Sequence, residues 1–124
     1  METPKKILIV DDDISLSDAL KDKLGRAGYS VTAAYNGEEG LASALSNHPD
    51  LILLDIIMPK KNGWDVLKGL KEDAWGKDAK VLLLTNADDM ENVSEAVAHH
   101  AHEYLVKGSW TMDEIVEKVH HTLQ

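Results

Sequence analysis

The sequence predicts a doubly wound α/β domain, a parallel sheet covered by helices on both faces. Three observations carry that prediction. Short apolar runs without alternation, Ile7-Leu8-Ile9-Val10, Leu51-Ile52-Leu53-Leu54 and Val81-Leu82-Leu83-Leu84, read as strands buried on both sides. Segments of helical periodicity separate them, so strand and helix alternate five times, the pattern of βα units with right-handed crossovers. Each run also stops at a polar group: Asp11-Asp12-Asp13, Asp55 and Thr85. In open α/β sheets ligands bind outside these carboxyl ends.

The run ending at Asp55 is the centre. Pro49 and Asp50 mark its start, and Pro59 cannot continue a ladder. Ile7 to Val10 is the first strand. Asp13 or Ser15 caps the helix that follows, Leu16, Leu20 and Leu24 give it an apolar face, and Gly28 stops it. Tyr29 to Tyr35 alternates weakly, as a strand nearer an edge does. Asn36-Gly37 reads as a turn. Glu38 to Asn47 is a short helix with Leu41, Ala42 and Leu45 inward, which Pro49 keeps from extending. Lys60 to Gly63 is a polar turn. Trp64 to Lys71 is a helix with Val66, Leu67 and Leu70 toward the core, and Glu72 to Ala79 is a loop. Lys80 to Thr85 is a buried strand. Asp88 or Asp89 caps a fourth helix with Met90, Val93 and Val97 on one side. Glu103 to Val106 is the last strand, ending at Lys107. Thr111-x-x-Glu114 has the form of a capping box and opens a final helix with Ile115, Val116, Val119 and Leu123 on one face.

Composition narrows the function. The length of 124 residues suits one domain, and 44% hydrophobic residues argue against disorder. The absence of cysteine excludes disulfides and thiolate metal or redox sites. No apolar run is long enough to span a bilayer, and the first residues do not form a signal peptide. A net charge of −9 with no basic stripe makes nucleic acid a poor partner.

On the expected sheet, Asp11, Asp12, Asp55, Thr85 and Lys107 converge on one edge. Clustered carboxylates repel unless a cation holds them. With oxygen ligands alone the suitable ion is hard: Mg²⁺, with Mn²⁺ or Ca²⁺ as alternatives. A divalent cation, an ammonium, a hydroxyl and a carboxylate nucleophile are the parts that phosphoryl transfer needs.

Ile7 to Asp13, then Asp55-Ile56-Ile57-Met58-Pro59 with Gly63, then Leu84-Thr85, then Tyr104-Leu105-Val106-Lys107, together resemble the CheY-like receiver domain of two-component response regulators. The resemblance covers essentially the whole chain and implies the flavodoxin-like strand order 2-1-3-4-5, known from receivers. It implies that Asp55 is the phosphoacceptor, served by a histidine kinase or a histidine phosphotransfer protein. Asp11, Asp12, Asp55 and the backbone carbonyl of Ile57 would hold Mg²⁺, Asp11 largely through water. Lys107 would pair with Asp55 and then with the phosphoryl oxygens. Thr85 would bond a phosphoryl oxygen and Tyr104 would swing inward, altering the face of the fourth helix, fifth strand and fifth helix for an unidentified downstream protein. The chain then reads as one receiver over residues 1–124 with no output domain, a cytoplasmic switch and not an enzyme on separate substrates. It would act by binding a protein, by relaying phosphate or as a piece of a longer parent. It would contact neither nucleic acid nor membrane, and would be monomeric before activation, with a dimer on activation as the alternative.

Other readings are weaker. A Mg²⁺-dependent phosphohydrolase would need a general acid where Ile57 stands, and a flavin site would not put three acids after the first strand. A receiver-fold scaffold that works without phosphorylation is the runner-up. A zinc or nickel site among His48, His99, His100, His102, His120 and His121 is less expected than histidines serving helix C-termini. Trp64, Trp75 and Trp110 are expected to pack more than to dock a partner. Three positions depart from the family pattern. Gly108 replaces its usual proline, which puts a cis peptide in doubt. Asn86 replaces a small residue and could narrow access to the phosphoryl group. His100 replaces a helix-ending glycine.

Overall fold

The structure, a computed structural model, describes residues 3–56, 58, 62–85, 103–106 and 110–124. Five parallel strands form one sheet: β1 Lys6–Val10, β2 Ser30–Ala34, β3 Leu51–Asp55, β4 Val81–Thr85 and β5 Glu103–Val106. Their spatial order is β2-β1-β3-β4-β5, as expected. Ile7 pairs with Val31 on one side and Leu51 on the other, Leu53 with Leu82, and Leu83 with Tyr104.

Because side chains alternate along a strand, each unbroken run feeds two cores. Leu8, Val10, Ile52, Leu54, Val81 and Leu83 face α2 (Gly37–Asn47) and α3 (Gly63–Lys71), packing with Ala44, Val66, Leu67 and Leu70. Ile7, Ile9, Leu51, Leu53, Leu82 and Leu84 face α1 (Ile14–Arg26) and the C-terminal helix (Met112–Leu123), packing with Leu20, Leu24, Ile115 and Val119. All five residues of β3 are buried, Asp55 included.

The helix ends follow local chemistry. Asp13, not Ser15, caps α1, its carboxylate accepting from the Leu16 N–H at 3.1 Å. Gly28 takes φ 103°, the left-handed region that ends α1. Asn36 and Asn62, read from sequence as turn residues, are the N-caps of α2 and α3, bonding the N–H of Glu39 and of Asp65. The capping box at Thr111 and Glu114 is present in both directions, at 3.1 and 2.9 Å.

Some expectations need correction. Ala42 faces solvent; Gly37, Gly40 and Ala44 hold the buried positions of α2. The loop after α3 contains a short 3₁₀ turn, Gly76–Asp78. His48 ends α2, as expected, being its C-cap at φ 48°, and stacks on Trp75 with ring centroids 4.3 Å apart. The expected fourth helix, with Met90, Val93, Val97 and His100, lies outside the described residues.

Candidate functional site at the carboxyl edge

Asp11 follows β1 directly. Its N–H donates to the Ala34 carbonyl at 3.1 Å, so the parallel ladder continues one residue past β1. Its carboxylate accepts from the Asp13 N–H at 2.9 Å, and its carbonyl accepts from the Ser17 hydroxyl at 3.4 Å. Ser17 is fully buried and ties α1 to this edge; as an isolated serine on a helix it gave no sequence signal. Asp55 closes β3 on the adjacent strand, paired in register with Leu84.

The edge brings Asp11, Asp12 and Asp55 together: one carboxylate oxygen from each lies within 4.8 Å of the others. Asp11 is fully buried and Asp55 is 3% exposed, whereas Asp12 is exposed. Like charges this close repel, and a cation between them relieves the repulsion. Three oxygen donors in this arrangement suit a hard divalent cation such as Mg²⁺.

Thr85 is the last residue of β4 and Tyr104 the second of β5, so their backbones stand on the neighbouring strands. Ile57, Asn86, Lys107 and Gly108 lie outside the described residues. Among the described residues no group of three metal-binding side chains includes a histidine. His120 instead shares a hydrogen bond with the Tyr29 hydroxyl, their rings 5.2 Å apart. Burial pushes the Tyr29 phenol above its usual pKa. Trp64 and Trp75 pack against the core, as expected; Trp110 is exposed.

Residues 7–120 match the family model described as response regulator receiver domain. The chain belongs to the response regulator receiver family. This receiver is similar to chemotaxis response regulator CheY4 of Vibrio cholerae, 31% identical with a TM-score of 0.89, covering 98% of this chain and 100% of that one. It is similar to response regulator TrrA of Thermotoga maritima, solved in complex with Mg(2+)-BeF: 38% identical, TM-score 0.81, covering 96% of this chain and 99% of that one. Among curated proteins it is 36% identical to the "DNA-binding dual master transcriptional regulator RpaA" of Synechocystis over 92% of this receiver and 47% of that protein. The chain spans about half the length of the curated relatives it matches.

These relatives overturn one expectation. The acidic composition argued against any nucleic-acid partner, yet relatives of this receiver are transcriptional regulators, one of them named as DNA-binding. Net charge reports on the residues counted, and a DNA-binding regulator nearly twice as long can carry its basic surface elsewhere. No helix among the described residues is long and apolar enough to cross a membrane.

Proposed function

We propose that this chain is the phosphoacceptor of a two-component phosphorelay, with Asp55 accepting a phosphoryl group from a phosphohistidine. The observation that carries the reading is the buried Asp55 carboxylate at the end of a central strand, with Asp11 and Asp12 oxygens within 4.8 Å. The Asp55 oxygen attacks phosphorus. An O–P bond forms as the N–P bond of the donor breaks, and the electron pair stays on the imidazole nitrogen, which takes a proton from water.

Asp11, largely through water, with Asp12, Asp55 and the Ile57 carbonyl would hold Mg²⁺, which when bound would supply neutralisation of charge on the transferring group. TrrA, solved in complex with Mg(2+)-BeF, supports that assignment. Asp11 is positioned for it by the Asp13 N–H, and Asp13 in turn fixes the first turn of α1. Lys107 supplies a point charge to the phosphoryl oxygens and Thr85 a hydroxyl donor. Tyr104 would follow Thr85, changing the face formed by β5 and the C-terminal helix. In a longer parent protein this change governs an output such as the DNA binding in RpaA's name.

Labelling by phosphoramidate, followed on a phosphate-affinity gel, tests the reading. Labelling with Mg²⁺ that fails with chelator is expected, and Asp12→Asn should raise the Mg²⁺ needed. Labelling that ignores both chelator and Asp12→Asn contradicts it.

A further inference from the structure

β2 is an edge of the sheet and pairs only with β1. Edge strands are commonly guarded by a charge, a proline or a bulge. Ser30-Val31-Thr32-Ala33-Ala34 has no charge and no proline, and its register with β1 is unbroken from Ser30 opposite Lys6 to Ala34 opposite Val10. The Ser30 N–H donates to the Lys5 carbonyl at 2.9 Å, and the Ala34 carbonyl accepts from the Asp11 N–H at 3.1 Å. Ser30, Thr32 and Ala34 therefore turn their backbone groups to β1, and Val31 and Ala33 turn theirs outward. Among the described residues no hydrogen bond meets the two N–H groups and two carbonyls so presented.

A cavity of about 230 Å³ lies beside this edge, on the face that α2 covers. Buried Leu8 lines it together with Ser30, Thr32, Ser43, Asn47 and Lys6. The Lys6 ammonium donates to the Asn47 carbonyl near the end of α2. The Asp50 carboxylate accepts from the Lys6 backbone N–H at 2.7 Å, and no acid forms an ion pair with the Lys6 ammonium among the described residues. An ammonium has three protons to donate. One cation among hydroxyl donors is a setting for a carboxylate.

We infer that β2 is a strand-addition site: an extended segment of a partner protein pairs with Val31 and Ala33 and places an acidic side chain in the cavity at Lys6. Main-chain bonds to the edge give such a complex its affinity and the pocket its selectivity. Segment residues opposite Val31 and Ala33 face the side where Val31 packs beneath α1, so they are apolar. The residue opposite Ser30 faces the cavity and is the acid. Its backbone stands two strand spacings, about 10 Å, from that of Lys6, a gap that a glutamate and a lysine side chain close by reaching toward each other. A second copy of this chain fits less well. α1 packs on β2, so antiparallel pairing of two such edges brings their α1 helices to roughly 5 Å, where packed helices need about 8–10 Å. An extended segment brings no helix with it. The inference does not depend on the role of Asp55.

The test titrates ¹⁵N-labelled protein with the blocked peptide Glu-Val-Thr-Val-Glu, which sets an acid opposite Ser30 in either strand direction. At about 1 mM peptide, amide exchange at Val31 and Ala33 should slow. The Gln-Val-Thr-Val-Gln counterpart should bind about tenfold more weakly, as should the glutamate peptide to Lys6→Gln, with Lys6→Arg restoring affinity. The glutamine peptide tests the same charge on the unaltered protein, whatever Lys6→Gln does to the end of α2. No protection at Val31 and Ala33, or equal protection by a peptide N-methylated at both valines, overturns strand addition. Equal affinity for the glutamate and glutamine peptides overturns Lys6 as the seat of the acid. Free glutarate shifting the Lys6 and Ser43 amides while the peptide leaves β2 unprotected overturns the segment in favour of a small anion.

Discussion

Gly63→Ala joins stability to site geometry in one substitution. A Cβ at Gly63 would lie 2.5 Å from the Asp55 carbonyl oxygen and 2.6 Å from the Ile56 Cα, both backbone atoms. The Gly63 N–H also donates to the Ile56 carbonyl at 2.7 Å, so α3 cannot simply lift away. Ordinary van der Waals contact begins near 3.4 Å, so backbone must move by close to 1 Å. Overpacking of this kind costs about 1–3 kcal/mol. The helix propensity of alanine over glycine returns about 0.5–1 kcal/mol, leaving a net loss of roughly 1–2 kcal/mol. The displaced segment is the end of β3 that carries Asp55, and a misplacement of ~1 Å in a reacting group can slow its chemistry about a hundredfold. Urea unfolding followed by circular dichroism reads the first effect and phosphoramidate labelling the second. Gly25→Ala is the control: nothing lies within 4 Å of its Cβ, so the same exchange in α1 should stabilise by about 0.5–1 kcal/mol. A Gly63→Ala protein as stable and as quickly labelled as wild type would refute the reasoning.

Other predictions follow the same geometry. Thr111→Ala removes one direction of the capping box and should cost about 1 kcal/mol in urea unfolding, with labelling at Asp55 unchanged. At His48, with φ 48°, alanine should be about 1 kcal/mol less stable than glycine, because both lose the Trp75 stack and only glycine is free of left-handed strain. Burial raises the Tyr29 pKa in the folded state, so the fold favours the neutral phenol. That contribution is whole below the unfolded value of about 10 and is lost as pH rises through the folded value. Tyr29→Phe should therefore flatten the alkaline limb of a stability profile, and an unchanged limb would contradict this.

Much of this architecture could be read directly because burial on both faces leaves so plain a mark. Ile7 to Val10 and Leu51 to Leu54 have no alternation, and the two cores behind them explain why none is needed. The acids after those runs were legible because parallel strands must bring their carboxyl ends to one edge. Asn36 and Asn62 read as turn residues in the sequence because one side-chain oxygen serves an Asx turn and a helix cap alike. Ala42 was misplaced because in an eleven-residue helix both Ala42 and Ala44 fit an apolar stripe, and only packing against β1 selects between them. The Tyr29–His120 bond joins residues 91 apart in sequence, a contact that no local pattern encodes. The error about DNA had another origin: the charge of a receiver cannot describe a protein twice its length.

The central claim is that Asp55 accepts a phosphoryl group. Intact mass after incubation with acetyl phosphate and Mg²⁺ tests it most directly, run beside Asp55→Asn and beside a sample with chelator. The account predicts a gain of one phosphoryl group in the wild type with Mg²⁺, and none in either control. No gain in the wild type, or a gain that persists in Asp55→Asn, would contradict it.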